Sequence, residues 1–459
     1  MARTVEADYL VVGAGAMGMA FTDALIDHAD VRVALVDRRH SAGGHWLAAY
    51  PFVRLHQASA FYGVASTLLG GGRLQQHGPE TGLQERATAP EICAYYDHVL
   101  AERMLVSGRV EFFPNSDYAG DRTFVSRISG VRHTVPDTCR IVDARYLAPD
   151  IPRETPPPFD VADGVRVVAV NDLAGLTEAP SQYVVVGSGK TATDACIWLL
   201  GRGVDADAIC WVRPREPWML NRAVVQPDPA VYLGMVADTM AAAEAAASLD
   251  DLFLRMEDAG IMMRIDRSVT PTMAKTPTLA AWELELLRSL ENVVRRGHIR
   301  SVRPGRIELE GGSVEIARDA VVVHCAAPGL KYPPSVPIWG SSITLQPVRA
   351  GFPCFGAAVA GYVEATRPDD VEKNRVCPSS PFPDSLATWA VMNVLGMRAA
   401  AAFGAEPDIK AWADTVALNP ARVPAGHPGS AELDDVLARL QAHAGPGLAR
   451  LAELSAPQV

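Results

Sequence analysis

The chain has 459 residues, 49% of them hydrophobic and 21% charged, with a formal net charge of −11. That length implies two or three globular domains with ample core, and an acidic balance with no basic run argues against nucleic-acid binding. Seven cysteines, at 93, 139, 196, 210, 325, 354 and 377, include no CxxC pair, which argues against a zinc ribbon and a redox-active dithiol.

Residues 9–12 form a short apolar run, as expected of a buried strand. Gly13-Ala14-Gly15-Ala16-Met17-Gly18 follows at once, a full GxGxxG. A helical pattern spans about 19–28, then 31–36 reads as a second strand closed by Asp37. In this order Gly13 makes the tight turn, Gly15 admits a pyrophosphate, and Gly18 lets helix and strand pack closely. The helix start, Ala16 and Met17 included, offers free N–H groups to phosphate. Asp37 is placed to accept from a ribose hydroxyl. Together these parts predict a dinucleotide site.

From 38 to 64 the chain reads as a long loop punctuated by glycine and aromatic residues. Loops of this length in compact domains are usually functional. It holds Gly43-Gly44-His45-Trp46 and then Tyr50-Pro51-Phe52-Val53-Arg54, continuing through Leu55, His56, Gln57 and Ala58 to Ser59. A GxGxxG, an acid, a Gly-Gly-x-Trp segment and YPxxRxxxxS together resemble the flavin-binding half of the class B flavoprotein monooxygenases, which comprise the flavin-containing and Baeyer–Villiger monooxygenases. The resemblance implies an FAD held by Gly13, Gly15, Ala16, Met17, Gly18, Asp37, Arg38, Gly44, His45, Trp46 and Ser59. It places Arg54, His56 and Gln57 near the isoalloxazine as candidate catalytic residues. The Baeyer–Villiger branch carries an Asp where this chain has His56, so proton chemistry there would differ.

Residues 89–106 read as an amphipathic helix facing the core, and four strands from 110 to 142 resemble the small antiparallel insertion of such flavoproteins. Pro152, Pro156, Pro157 and Pro158 mark a domain boundary. Beyond it, the apolar run 183–186 leads into Gly187-Ser188-Gly189-Lys190-Thr191-Ala192, a helix, and a strand ending at Arg213-Pro214-Arg215. A P-loop would need glycine at Val184 and a magnesium-binding Asp, and neither is present. An NAD site would want an acid at the second strand end. The arginines instead suit the 2′-phosphate of NADPH, since guanidinium pairs phosphate bidentately. The predicted contacts are Gly187, Ser188, Gly189, Lys190, Thr191, Arg213 and Arg215.

Residues 216–296 read as mostly helical, with 279–296 a single helix. Residues 319–329 resemble the strand and turn by which these folds return to the FAD domain. That implies a contact from Ala327, with Pro328 in place of the family's Thr. Cys354 to Gly361 reads as a strand-like run, and Ser385 as an N-cap whose helix, in related flavoproteins, points at the flavin.

The expected fold class is α/β, with two Rossmann-like domains and a helical insertion at about 216–296 in the second. The FAD domain takes 1–155, the NADP domain 156–328, and 329–459 returns to the first and adds packing helices. Scattered thiols, no room for a signal peptide and no apolar run of the ~18 residues a span needs suggest a cytoplasmic protein without a membrane partner. The resemblance implies an FAD- and NADPH-dependent monooxygenase acting on a small organic substrate and molecular oxygen, added at flavin C4a. The family's FxGxxxH is missing before Gly187. A reductase or oxidase without oxygen insertion, and a non-catalytic nucleotide sensor or partner subunit, stay open as alternatives.

Overall fold

The computed structural model describes residues 3–327, 329 and 331–456. Two five-stranded, all-parallel sheets organise it. In the first, Ile343–Thr344, Arg140–Asp143, Tyr9–Val12, Val33–Val36 and Val110–Phe113 lie side by side in that order. In the second the order is Arg166–Ala169, Val321–His324, Tyr183–Val186, Ile209–Val212 and Val293–Val294. The central strands are buried along their whole length. That is why they read as unbroken Val/Leu/Ile runs rather than alternating ones. In each sheet a glycine turn joins a central strand to a helix, Ala16–His28 in the first and Lys190–Gly201 in the second.

Four sequence expectations are corrected. Val110–Phe113 and Arg140–Asp143 belong to the first parallel sheet. Only Ser116–Gly120, Thr123–Ser126 and Arg132–Thr134 form the antiparallel insertion, with Arg3–Thr4 parallel at its edge. The span 216–296 carries a three-stranded sheet, Met262–Arg264, Pro217–Asn221 and Met273–Leu279, besides its helices Pro229–Ala245, Leu249–Asp258 and Ala281–Arg288. The last helix stops at Arg288, and Val293–Val294 joins the second sheet. Cys354 to Gly361 is helical, within Pro353–Thr366. Every residue from Cys354 to Glu364 is buried, so no polar face marks the helical period. A Cβ at Gly361 would lie 2.5 Å from the Phe21 carbonyl oxygen, so glycine is what lets this helix press onto Ala16–His28.

Leu386–Gly404 is long and apolar enough by length and composition to cross a membrane. It packs through Leu386, Trp389 and Ala390 into the cluster around Trp218, Phe253 and Met256. A Cβ on its Gly396 would sit 2.8 Å from that of Ala350, so the helix seats directly on the 349–351 segment.

Candidate functional site

The first cradle is built from backbone. Gly13 holds φ +110, left-handed space that favours glycine. A Cβ at Gly18 would stand 1.9 Å from the Gly13 carbonyl oxygen, and one at Gly44 would stand 2.9 Å from Gly15 Cα. The Gly43 N–H donates to Ala14 O at 2.9 Å, tying the two glycine segments together. The helix beginning at Ala16 has no side-chain cap, leaving its first N–H groups for an anion. Asp37 is buried; Oδ2 accepts from Ala14 N and Oδ1 from Arg39 N, each at 2.7 Å. Burial pushes its carboxyl up, against those two N–H bonds and the Arg39 charge. A carboxylate has about four lone-pair sites, so two remain for a ribose. Uncapped N–H groups, glycine faces that a Cβ would fill and a carboxylate with capacity to spare fit an adenine dinucleotide.

Gly18→Ala is expected to cost about 1–3 kcal/mol, because the added methyl must displace backbone. At Gly189, which caps the second helix as Gly15 caps the first, a Cβ would meet nothing within 4 Å. Thermal unfolding of Gly18→Ala and Gly189→Ala separates the two: a lower midpoint for the first alone is the expected result.

The rest of the first loop is distributed differently from expectation. Trp46 Nε1 donates to Tyr62 OH at 2.6 Å, and burial lowers His45 to about 4. Arg38 is exposed and pairs with Glu154 at 2.8 Å. Tyr50 and Phe52 turn to the other unit: Tyr50 OH donates to Asp194 at 2.6 Å, and Phe52 stacks on Trp198 at 4.7 Å. Arg54 is exposed, with Nη1 donating to Arg86 O at 3.3 Å, so it faces away from any buried centre. The Ser59 hydroxyl is enclosed and accepts from Ala87 N at 2.8 Å.

His56 sits in a seam of buried charge. Its carbonyl accepts from Arg222 Nε at 3.0 Å, while its Nδ1 has no partner among the described residues. Burial, with Lys190, Arg222 and Arg86 adding to it, holds the imidazole down at about 3. His56 is therefore neutral at neutral pH and stores no proton to give. The seam itself runs from Asp194 through Lys190, Glu283, Arg222 and Glu80 to Arg86. Lys190 pairs with Asp194 and lies 3.6 Å from Glu283; Arg222 meets Glu283 at 2.6 Å and pairs with Glu80, and Arg86 closes on Glu80 at 2.7 Å. Apart from Lys190, no sequence motif announced these residues, because they come from four separate stretches of the chain.

In the second cradle Gly187 has φ +139, and Gly189 begins the helix, with Lys190 and Thr191 as its first residues. The two arginines have different fates. Arg213 is buried, its guanidinium 4.5 Å from the Trp211 ring and its Nε on Glu216 Oε1 at 3.0 Å. It is not a free clamp, since Glu216 draws it inward. Arg215 is exposed, and its N–H donates to Ser188 Oγ at 3.2 Å, which sets it beside the glycine loop. Lys275 is pushed down by burial and by the Arg215 charge, so a second cation stands near.

Each glycine loop is also overlaid by the residues after a neighbouring strand. Arg145 Cγ and Ala144 Cβ would meet a Cβ at Gly13 at 3.3 and 3.5 Å, and Cys325 O would meet one at Gly187 at 3.1 Å. Ala327, two residues beyond Cys325, thus follows a strand of the second sheet, and Ala144 and Arg145 take the place over the first loop. Pro328 lies outside the described residues. Ser385 does cap its helix, accepting from Thr388 N at 3.3 Å. That helix packs on the inserted segment, whereas Pro353–Thr366 is the one laid against Ala16–His28.

Segments from several of these parts line a mostly apolar chamber. Gln57 enters it from the long loop, and Tyr232, Met235 and Met240 from an inserted helix. Arg349 and Phe352 come from the segment before Pro353, and Trp389 and Met392 from Leu386–Gly404.

The fold is similar to that of monooxygenases of known structure. It resembles cyclohexanone monooxygenase bound to ε-caprolactone, with a TM-score of 0.51 and 14% identity over 88% of this chain and 98% of that one. It resembles oxidized steroid monooxygenase bound to NADP equally, with a TM-score of 0.51 and 15% identity over 84% and 90%. No family model matches the chain. It is 43% identical over 422 residues to an uncharacterized protein of Mycobacterium tuberculosis (strain ATCC 25618 / H37Rv), covering 91% of this chain and 78% of the relative. A protein of Mycobacterium bovis (strain ATCC BAA-935 / AF2122/97) matches to the same extent, 43% over 422 residues. The chain belongs to the family that these mycobacterial proteins define.

Proposed function

We propose that the protein is an FAD- and NADPH-dependent oxidoreductase that oxygenates a small organic molecule. Residues 1–155 and 329–459 would form the FAD unit, and 156–328 the NADPH unit. The observation that carries this reading is the pairing of two glycine cradles, one followed by Asp37 and the other by Arg215, with a mostly apolar chamber that the long loop after Asp37 enters through Gln57. Gly13, Gly15, Gly18 and the first turn after Ala16 would hold the FAD pyrophosphate, with Asp37 on the ribose. Gly187, Gly189 and Arg215 would hold NADPH. Bound flavin supplies hydride acceptance and oxygen activation, so no protein nucleophile is needed. The chamber side chains exclude water and orient the substrate. Gln57 is the polar group of the long loop that faces it.

The test is spectroscopic. The purified protein should be yellow, bleach on addition of NADPH without oxygen, and in air regain its colour and release peroxide more slowly than it takes up oxygen. Colour and one peroxide per NADPH returning as fast as oxygen is consumed would place it with the oxidases. A colourless protein that takes up no FAD would refute the enzyme reading.

A further inference from the structure

The structure assigns the chamber to an apolar molecule carrying a carboxylate, with Arg349 as the group that binds the acid. The inference rests on the chamber being the substrate site of the oxidoreductase proposed above. Arg349 is the one charged side chain lining the chamber among the described residues. Four of the neighbouring polar groups are already engaged. Asn393 donates to Trp389 O at 2.9 Å, Thr239 to Met235 O at 2.8 Å, Gln57 to Phe61 O at 3.5 Å, and Thr278 to the His56 carbonyl. The Arg349 guanidinium meets nothing of opposite charge among the described residues. Its Nε is enclosed and has no hydrogen-bond partner among them, and the Tyr232 ring stands 5.8 Å from the guanidinium carbon.

Arg349 is half-buried with an enclosed Nε, whereas the fully buried cations Arg213, Arg222 and Lys373 each have a carboxylate within 3.0 Å. A guanidinium cannot shed its proton, so a ligand that brings a counter-charge to that unpartnered Nε gains by doing so. The segment carrying Arg349 is also held fast, pinned between Gly396 on one side and the helix that starts at Pro353 on the other. A fixed fork of donors at the wall of an apolar chamber matches a carboxylate, which accepts two parallel N–H bonds. The thioethers of Met235, Met240, Met392 and Met397 give the rest of the wall an adaptable surface suited to a flexible aliphatic chain.

The experiment measures binding of decanoate, methyl decanoate and decanol to the flavin-loaded protein by calorimetry. Wild-type protein should bind decanoate about 10–100-fold more tightly than the ester or alcohol, the worth of a charge-assisted hydrogen bond. Arg349→Met should lose that preference while still binding the ester, and Arg349→Lys should keep part of it. Equal binding of acid and ester by wild-type protein would overturn the assignment, whether or not the variants fold. So would an acid preference that persists in Arg349→Met. Flavin content and bleaching by NADPH are recorded on the same samples. Failure of those two with the acid preference intact would remove the oxidoreductase reading and leave the carboxylate site standing.

Discussion

Glu80→Ala should lower the stability of the chain by about 3–5 kcal/mol, the cost of breaking a buried ion pair by removing one partner. Glu80 is buried and answers two guanidiniums at once, Arg86 at 2.7 Å and the fully enclosed Arg222. It also accepts from Gln75 Nε2 at 3.1 Å and Trp282 Nε1 at 3.2 Å, so its loss strands four donor groups. Asp117 and Arg127, both more than half exposed at 3.2 Å, provide the comparison. Asp117→Ala should cost less than about 1 kcal/mol. Urea unfolding of both variants decides it, and equal midpoints would mean that the buried seam stabilises the fold no more than a surface pair does. The acid dependence has a definite sign. Burial pushes the Glu80 carboxyl up, but Arg222 and Arg86 outweigh it and bring the group from 4.5 to about 2. Its contribution is therefore complete above the unfolded value and is lost as pH falls through about 2. In Glu80→Ala the fall in stability from pH 5 to pH 2 should be shallower than in wild type.

Arg215→Ala should weaken NADP⁺ by about 10–100-fold and leave NAD⁺ nearly unchanged, since only the first carries the 2′-phosphate that a guanidinium can pair. Arg213→Ala should behave otherwise. Its guanidinium is packed over Trp211 and bonded to Glu216, so truncation should lower the unfolding temperature without a selective loss of NADP⁺. Titration of each variant with both dinucleotides separates the roles. Equal loss of both on Arg215→Ala would refute the phosphate assignment.

The glycine positions were legible because what they require is local. Gly13 and Gly187 are needed by the positive φ of their own turns and Gly18 by its approach to the Gly13 carbonyl, and that need leaves its mark at fixed spacing. Arg213 and Arg215 were legible as a pair but not as individuals. What separates them is Glu216, whose pull on Arg213 depends on the fold around Trp211. The helix Pro353–Thr366 was missed because it is buried on every side, which erases the alternation that distinguishes helix from strand. Ser59 was legible only in part for a related reason: a motif fixes its position along the chain, while its partner, Ala87 N, comes from another loop. Arg349, Arg222 and Glu283 had no signal at all. Their meaning lies in what stands opposite them, contributed by segments far away in sequence.

The seam of alternating charges also bears on how this protein can be inherited and recombined. Two cofactor cradles on two sheets look like exchangeable modules. Yet Glu80 and Arg86 come from the first half of the chain, and Lys190, Arg222 and Glu283 from the middle. A half borrowed from a relative with different charges would bury ions without partners. The two halves can therefore be exchanged only together with their matched ions, which makes the joint between them the part of the molecule least free to diverge alone.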